Sequence, residues 1–242
     1  MAKISAKNAV ILINGYNFST YFSSFNVDSN ANKLDVTGFG DGVQNFIPGL
    51  PSAMINGDVF WDSAAAKTHL ALSPRPTGYV TILPEGYALG NPSISLPFMQ
   101  GNYNPKGAVN DSLRIGTLNF ESYGSNVGIE NGVALAHATI TATTTGTGFD
   151  DPTGAAVTAT CSATLHIWDA TATDTYVVKV QHSTLLGSGY ADLITFTANG
   201  TSITAERQAV ASGTVNRYRR VLATRTGSAG DTFGFSVHFQ HS

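Results

Sequence analysis

Apolar, β-branched and aromatic residues alternate with polar ones in short runs along almost the whole chain. Residues 79–83, 93–97, 113–121 and 136–143 show the pattern in the first part, and residues 164–168, 176–182, 193–197 and 231–239 repeat it later. Successive side chains of a strand point to opposite faces, so each run predicts a half-buried β-strand. Clusters of Gly, Pro, Asn and Asp separate the runs, which is the signature of a sandwich or barrel. At the start, residues 9–13 are apolar and meet Asn14-Gly15 at once, predicting a first strand that ends in a tight turn. One segment departs from the pattern. Residues 62–72 predict a short helix, capped by Asp62 or Ser63, favoured by three alanines and stopped by Pro74 and Pro76.

The strand pattern breaks over residues 123–132, rich in glycine and serine, and a new β series follows. The chain therefore divides into two expected domains, residues 1–125 and residues 126–242. Residues 146–154 are a second irregular stretch, read as a connection within the second domain. The expected fold is all-β: a β-sandwich carrying one short helix, then a second β-sandwich of jelly-roll or immunoglobulin-like type.

The segment Asp35-Val-Thr-Gly-Phe-Gly-Asp-Gly-Val-Gln-Asn-Phe-Ile-Pro-Gly-Leu50 spaces Gly38, Gly40, Gly42 and Gly49 around Phe39, Val43, Phe46, Ile47 and Leu50. Four glycines in so short a span predict specified turns. Together with the strand pattern Met-Ile-Asn-Gly-Asp-Val-Phe-Trp-Asp at 54–62, it resembles the start of the tube-forming domain of major tail proteins from long-tailed bacteriophages. Residues 11–22 resemble the opening strand and turn of such proteins, residues 83–90 a later loop, and residues 101–111 followed by 113–122 a closing hairpin. The resemblance covers roughly residues 1–125.

It implies a structural virion protein that assembles into stacked rings, forming a tube that conducts DNA from capsid to host. The implied partners are copies of itself and the tape-measure, tail-tip and terminator proteins, with DNA only as passing cargo. The implied location is the virion tail, after synthesis in the host cytoplasm. Phe39, Gly40, Asp41, Gly42, Phe46, Ile47, Pro48, Gly49 and Leu50 are the candidate contact between subunits or rings, the alternative being a loop that covers its own sandwich. Residues 35–42 can also be laid on residues 192–200 with a one-residue shift. A duplicated tube domain would need three chains per ring, and one tube domain plus a decoration would need six. The rival readings are another virion component, such as a capsid decoration or tail-tip protein, and a carbohydrate-binding module using Trp168, Tyr176, Tyr190 and Tyr218.

Composition narrows the field. Only 12% of residues are charged against 42% hydrophobic, a folded chain whose surface has little charge to discourage self-association. The formal net charge of −3 argues against a sequence-specific nucleic-acid binder but not against a conduit, whose wall should not grip phosphates. Residues 1–125 hold 7 Lys and Arg against 8 acids and residues 126–242 hold 6 against 8, so charge does not divide the domains. No apolar run is long enough to span a bilayer, and residues 9–13 are too short for a signal core. The single cysteine, Cys161, rules out an internal disulfide framework, and its strand-like surroundings predict a buried thiol.

Candidate chemistry does not assemble. His182, Ser183 and Asp192 are the residue types of a hydrolytic triad, yet adjacent strand residues face opposite ways and no Gly-x-Ser-x-Gly elbow is present. Six histidines show no metal-ligand spacing, and Asp150-Asp151 lacks the further oxygens of a calcium loop, leaving a solvated turn. His166 and Trp168 are expected on one strand face, and His238 and His241 at an exposed end or an interface. Arg217-Tyr-Arg-Arg220 is the one dense basic cluster, with Arg217, Arg219 and Arg220 as candidate phosphate contacts or as partners of Glu206, Asp192 or a neighbouring chain's acids. Asn17, Asn110 and Asn199 head glycosylation-type triplets, which have no secretory meaning without a signal peptide. No phosphate loop or dinucleotide glycine pattern occurs. The expectation is a protein without catalytic residues, metal or cofactor.

Overall fold

The computed structural model describes residues 6–39, 42–124, 128–151, 157–170, 173–228 and 230–241. In chain order the strands are β1 (Val10–Ile13), β2 (Tyr16–Asn17), β3 (Phe22–Asp35), β4 (Phe46–Phe60), β5 (Thr77–Leu83), β6 (Pro92–Gln100), β7 (Pro105–Lys106), β8 (Arg114–Ser122) and β9 (Glu130–Ile140). There follow β10 (Thr144–Thr145), β11 (Phe149–Asp150), β12 (Val157–Ala170), β13 (Thr175–Ser183), β14 (Ala191–Thr195), β15 (Thr204–Val215), β16 (Tyr218–Thr226) and β17 (Phe233–His241). One helix, α1 (Thr68–Leu72), lies between β4 and β5. The fold is all-β, as the alternation predicts.

The chain divides into two compact units that interleave along the sequence. The first takes residues 1–19, 78–95 and 130–242, and the second takes residues 20–77 and 96–129. The chain re-enters the first unit at Glu130, and residues 1–19 and 78–95 cluster with 130–242 rather than with the rest of residues 1–125. The exchanges at 77/78 and 95/96 fall inside β5 and β6, where strand alternation runs on unbroken.

In the first unit β15, β12, β17 and β9 are successive neighbours in one sheet, and β10, β16, β13 and β14 form a second with β11 beside β16. Their facing sides make one core. Cys161, Ala163, Leu165 and Ile167 of β12 and Phe233, Phe235, Val237 and Phe239 of β17 meet Tyr176, Val178 and Val180 of β13 and Val221 and Ala223 of β16. The odd-numbered spacing on β12 and β17 is the period of two that places one strand face inward. A second cluster, Val10, Leu12, Leu83 and Ala134, lies under β1, β5 and β9. Residues 161–167 and 233–240 are consequently buried on both faces. Their polar members must then find partners inside the protein.

β1 and β2 join through Asn14 (φ 49°) and Gly15 (φ 87°), both in the left-handed region that a two-residue hairpin turn requires. Space also restricts Gly15, since a Cβ there would lie 2.3 Å from the carbonyl oxygen of Ile167. The turn is thereby packed directly against β12.

In the second unit β4 pairs with β3 on one side and with β8 on the other, and β8 also pairs with β6 and β7. The β7–β8 pairing is the hairpin expected over residues 101–122. The core contains Ile55, Val59, Leu72, Phe98, Ile115, Leu118 and Phe120, with Phe98 and Phe120 meeting edge to face at 4.8 Å. The helix is shorter than expected and starts later. Ala66 adopts φ 60°, which no right-handed helix admits, so the alanine run forms turns and α1 begins only at Thr68. Asp62 does not cap it. Its Oδ1 accepts the N–H of Ala64 at 2.9 Å, while Lys67 stands at the N-cap without a side-chain bond.

Candidate functional site

β3 and β4 form a long hairpin, and the pairing of β4 with β8 runs only from Met54 to Phe60. From Ala53 outward to Phe46, β4 pairs with β3 alone. The outer ribbon is therefore two-stranded, and Pro48 and Pro51 each remove an amide donor from it. A two-stranded ribbon is at best marginally stable in water unless another surface covers it.

The end of the hairpin is closed by its own polar groups. Asp35 Oδ1 accepts the N–H of Thr37 at 2.9 Å and also the Thr37 hydroxyl, while Thr37 Oγ1 accepts the N–H of Asn45 at 3.0 Å. The N–H of Val36 donates to the carbonyl of Asn45 at 2.9 Å. These Thr37 bonds hold the Asp35 carboxyl below its ordinary value. Among the described residues, side-chain bonding closes this end, and the expected role of glycine is not met at Gly42. Gly42 has no left-handed φ, and a Cβ on it would meet nothing. Gly40 and Asp41 lie outside the described residues, as do the side chains of Pro48 and Leu50.

The apolar residues of this end face solvent. Phe39 is 116% exposed and Val43 73%, and Leu34, Val36, Phe46 and Ile47 are each about half exposed. Leu34 and Ile47 are cross-strand partners. Phe39, Phe46 and Ile47 therefore do not cover a sandwich, and Leu34 and Val36 join them although the sequence reading did not single them out. Their signal was the alternation of Leu34 and Val36 with Lys33, Asp35 and Thr37 at and just past the end of β3.

The polar candidates are engaged elsewhere. His182 Nδ1 accepts the N–H of Asn216 at 3.2 Å, Ser183 Oγ donates to the carbonyl of Ser188 at 2.6 Å, and Asp192 pairs with Lys179 at 2.6 Å. No triad forms among them. The basic cluster pairs with Asp150 and Asp151 rather than with Glu206 or Asp192. Arg217 bonds Asp150 on the surface, Arg219 is buried against Asp151 at 2.7 Å, and Arg220 donates to Gln181 at 2.9 Å while lying over the ring of Tyr190. The reason is register. β11 lies antiparallel to β16 and sets Asp150 opposite Tyr218, between the two arginines. Asp151, expected in a solvated turn, is buried by the same pairing.

His238 is buried on the central strand β17, not exposed, and its Nε2 contacts Ser236 Oγ at 3.0 Å. The side chain of His241 lies outside the described residues. His166 Nδ1 accepts the N–H of Gly15 at 3.2 Å and its Nε2 contacts Thr81 Oγ1 at 2.8 Å, with burial lowering its pKa to about 3. Trp168 stacks on His137 at 4.3 Å, and His137 stacks in turn on Tyr87 at 3.4 Å. With both ring faces covered, His137 loses hydration and its pKa falls to about 4. Of the proposed sugar platforms, Tyr176 is buried against Phe233, Tyr190 lies under Arg220, Tyr218 has Arg217 over its ring, and Trp168 is covered by His137. Cys161 is buried, and desolvation raises its thiol. Among the described residues, no group of three metal-ligating side chains converges. No described helix is long and apolar enough to cross a membrane.

No protein-family model and no curated protein matches the chain. Among solved structures, a chain from the virion of a native gene transfer agent particle aligns at 16% identity and TM-score 0.41, covering 51% of this chain and 96% of that one. A chain from the tail of an empty gene transfer agent particle, with C6 symmetry, aligns at 17% identity and TM-score 0.41 with the same coverage. The Dit protein of phage SPP1, described as a hub of the adsorption apparatus in phages infecting Gram-positive hosts, aligns at 12% identity and TM-score 0.35. That alignment covers 97% of this chain and 99% of that one. At these scores the likenesses assign no function.

Proposed function

We propose that this protein is a structural subunit of a bacteriophage tail, assembling with copies of itself into the stacked rings of the tail tube. The observation that carries the reading is the two-stranded end of the β3–β4 hairpin, which holds six apolar side chains in water. A narrow ribbon of that kind is stabilised when a neighbouring subunit covers it, and a contiguous apolar patch marks an interaction surface. The resemblance of residues 35–62 to the start of tube-forming domains points to the same partner, a second copy. Repetition of one such contact around a closed ring satisfies every ribbon at once. The chain then acts mechanically, with the inside of the ring as a passage for DNA.

Negative-stain microscopy of the purified full chain tests this. Long hollow tubes or closed rings support the reading. Particles that stay monomeric at high concentration sink it, and discrete trimers that bind capsids would favour a decoration protein.

A further inference from the structure

Within the first compact unit a cavity of about 280 Å³ is bordered by Asn131, Phe149, Asp151, Arg219, Phe239 and Gln240. Arg219 is 1% exposed, gives Nη1 to Asp151, and lies over the Phe239 ring at 4.8 Å. Its Nε and Nη2 have no hydrogen-bond partner. Gln240 donates through Nε2 to Ser162 at 2.5 Å, and its Oε1 is likewise buried without a partner. Arg219 and Gln240 thus border the cavity while their unused cationic donors and unused neutral acceptor lie behind its water-accessible surface. Folding rarely leaves such groups unmatched, because each has given up water for nothing.

We propose that this cavity binds a carboxylate. Nε–H and Nη2–H of a guanidinium point the same way, and their spacing matches the two oxygens of a carboxylate. Asp151 already balances the charge of Arg219, so the wall accommodates a single negative charge, whereas a doubly charged phosphate would meet the Asp151 carboxylate at close range. The free Oε1 of Gln240 calls for an N–H or O–H donor beside that carboxylate, as in an amino acid. The volume falls just below the usual range for drug-sized ligands and suits a small acid or one acidic side chain. Nε and Nη2 are sealed from water-sized contact, so the occupant engages them with a small shift of the Phe239 or Gln240 side chain. The carboxylate comes either from a dissolved acid or from an Asp or Glu of another copy of the chain.

The test follows the Arg219 Nε–H resonance of the ¹⁵N-labelled full chain at constant ionic strength. Acetate, L-glutamate and inorganic phosphate are titrated in turn, and protein concentration is varied separately. The expected result is a saturable shift with glutamate in the millimolar range, weaker with acetate and weakest with phosphate. Gln240→Leu should remove the preference for glutamate over acetate. Arg219→Lys should weaken binding about tenfold or more, since an ammonium cannot form the fork. Phe149→Trp, which adds bulk at the cavity border, should abolish binding even if the Arg219 variant does not fold. A shift that appears only as protein concentration rises, and disappears on dilution, identifies the source as an acidic side chain of a second copy. Absence of a shift in every arm, or tighter binding of phosphate than of either carboxylate, overturns the proposal.

Discussion

His166 and Gly15, 151 positions apart, share a hydrogen bond of 3.2 Å in which the imidazole Nδ1 accepts the glycine N–H. That bond fixes the ring's tautomer. With Nδ1 accepting, Nε2 carries the proton and donates it to Thr81 Oγ1, which is itself 2.9 Å from Ser95 Oγ. A neutral imidazole therefore joins β12, the first hairpin turn, β5 and β6 in the interior of the first unit.

Replacing Gly15 should be costly. In Gly15→Ala the new Cβ meets the Ile167 and Thr204 backbone and the residue keeps a left-handed φ. Strain and displacement of the His166 bond together should cost about 2–4 kcal/mol, read as a lower denaturation midpoint with an unchanged slope. A midpoint equal to that of the parent protein would show that the turn is not packed as described.

Acid should destabilise the first unit before carboxylates titrate. The folded pKa values of His166, about 3, and His137, about 4, lie below the ordinary 6.5. The unfolded chain therefore binds more protons, and stability is full above pH ~6.5, falling as pH drops toward those folded values. The fully buried His166 contributes a slope of up to about 1.4 kcal/mol per pH unit, and His137, whose ring edge is open to solvent, contributes less. Urea midpoints measured between neutrality and mild acid should fall, and His166→Gln should flatten the dependence. A flat profile in the parent protein would contradict a buried neutral His166.

The two aspartates that hold the arginines should differ sharply. Asp151→Asn leaves the buried Arg219 charge uncompensated and should cost about 3–5 kcal/mol. The Asp150–Arg217 pair is about half exposed on both sides, so Asp150→Asn should leave the midpoint unresolved from the parent. Equal effects from the two substitutions would mean that burial does not separate the pairs.

Assembly should depend on the hairpin end without the fold depending on it. Phe46→Asp and Phe39→Asp place charge on a surface that already faces water, so the monomer should keep its β spectrum and its stability within about 0.5 kcal/mol. Rings or tubes should be lost because the contact would bury an unpaired carboxylate. Normal tubes from both variants would exclude this end from the interface.

Duplex DNA should not bind the soluble subunit at physiological salt. Arg217 and Arg220 are taken up by Asp150 and Gln181, and Arg219 is buried, so the cluster offers duplex DNA no exposed fork. Salt-sensitive binding that disappears in Arg217→Ala plus Arg220→Ala would make this a DNA-engaging component instead.

The sequence alone determined what depends on neighbours a few residues away. Alternation set the all-β class and most strands of the later half, and Asn14-Gly15 marked a tight turn because only certain residues accept its left-handed angles. The apolar content of residues 39–47 marked a candidate segment, but did not show that it forms the end of a hairpin facing solvent. Tertiary structure decided everything that rests on register and on which strands become neighbours. Nothing near Arg219 in sequence indicates that Asp151, 68 positions away, will lie beside it where β11 meets β16. Alternation predicts which side of β17 points inward but not that both sides are covered, so His238 read as a terminal residue and proved to be core. The helix is shorter than its sequence predicts for the same reason. Local propensity favours it across the alanines, but the fold holds Ala66 at a left-handed φ and lets the helix begin only at Thr68.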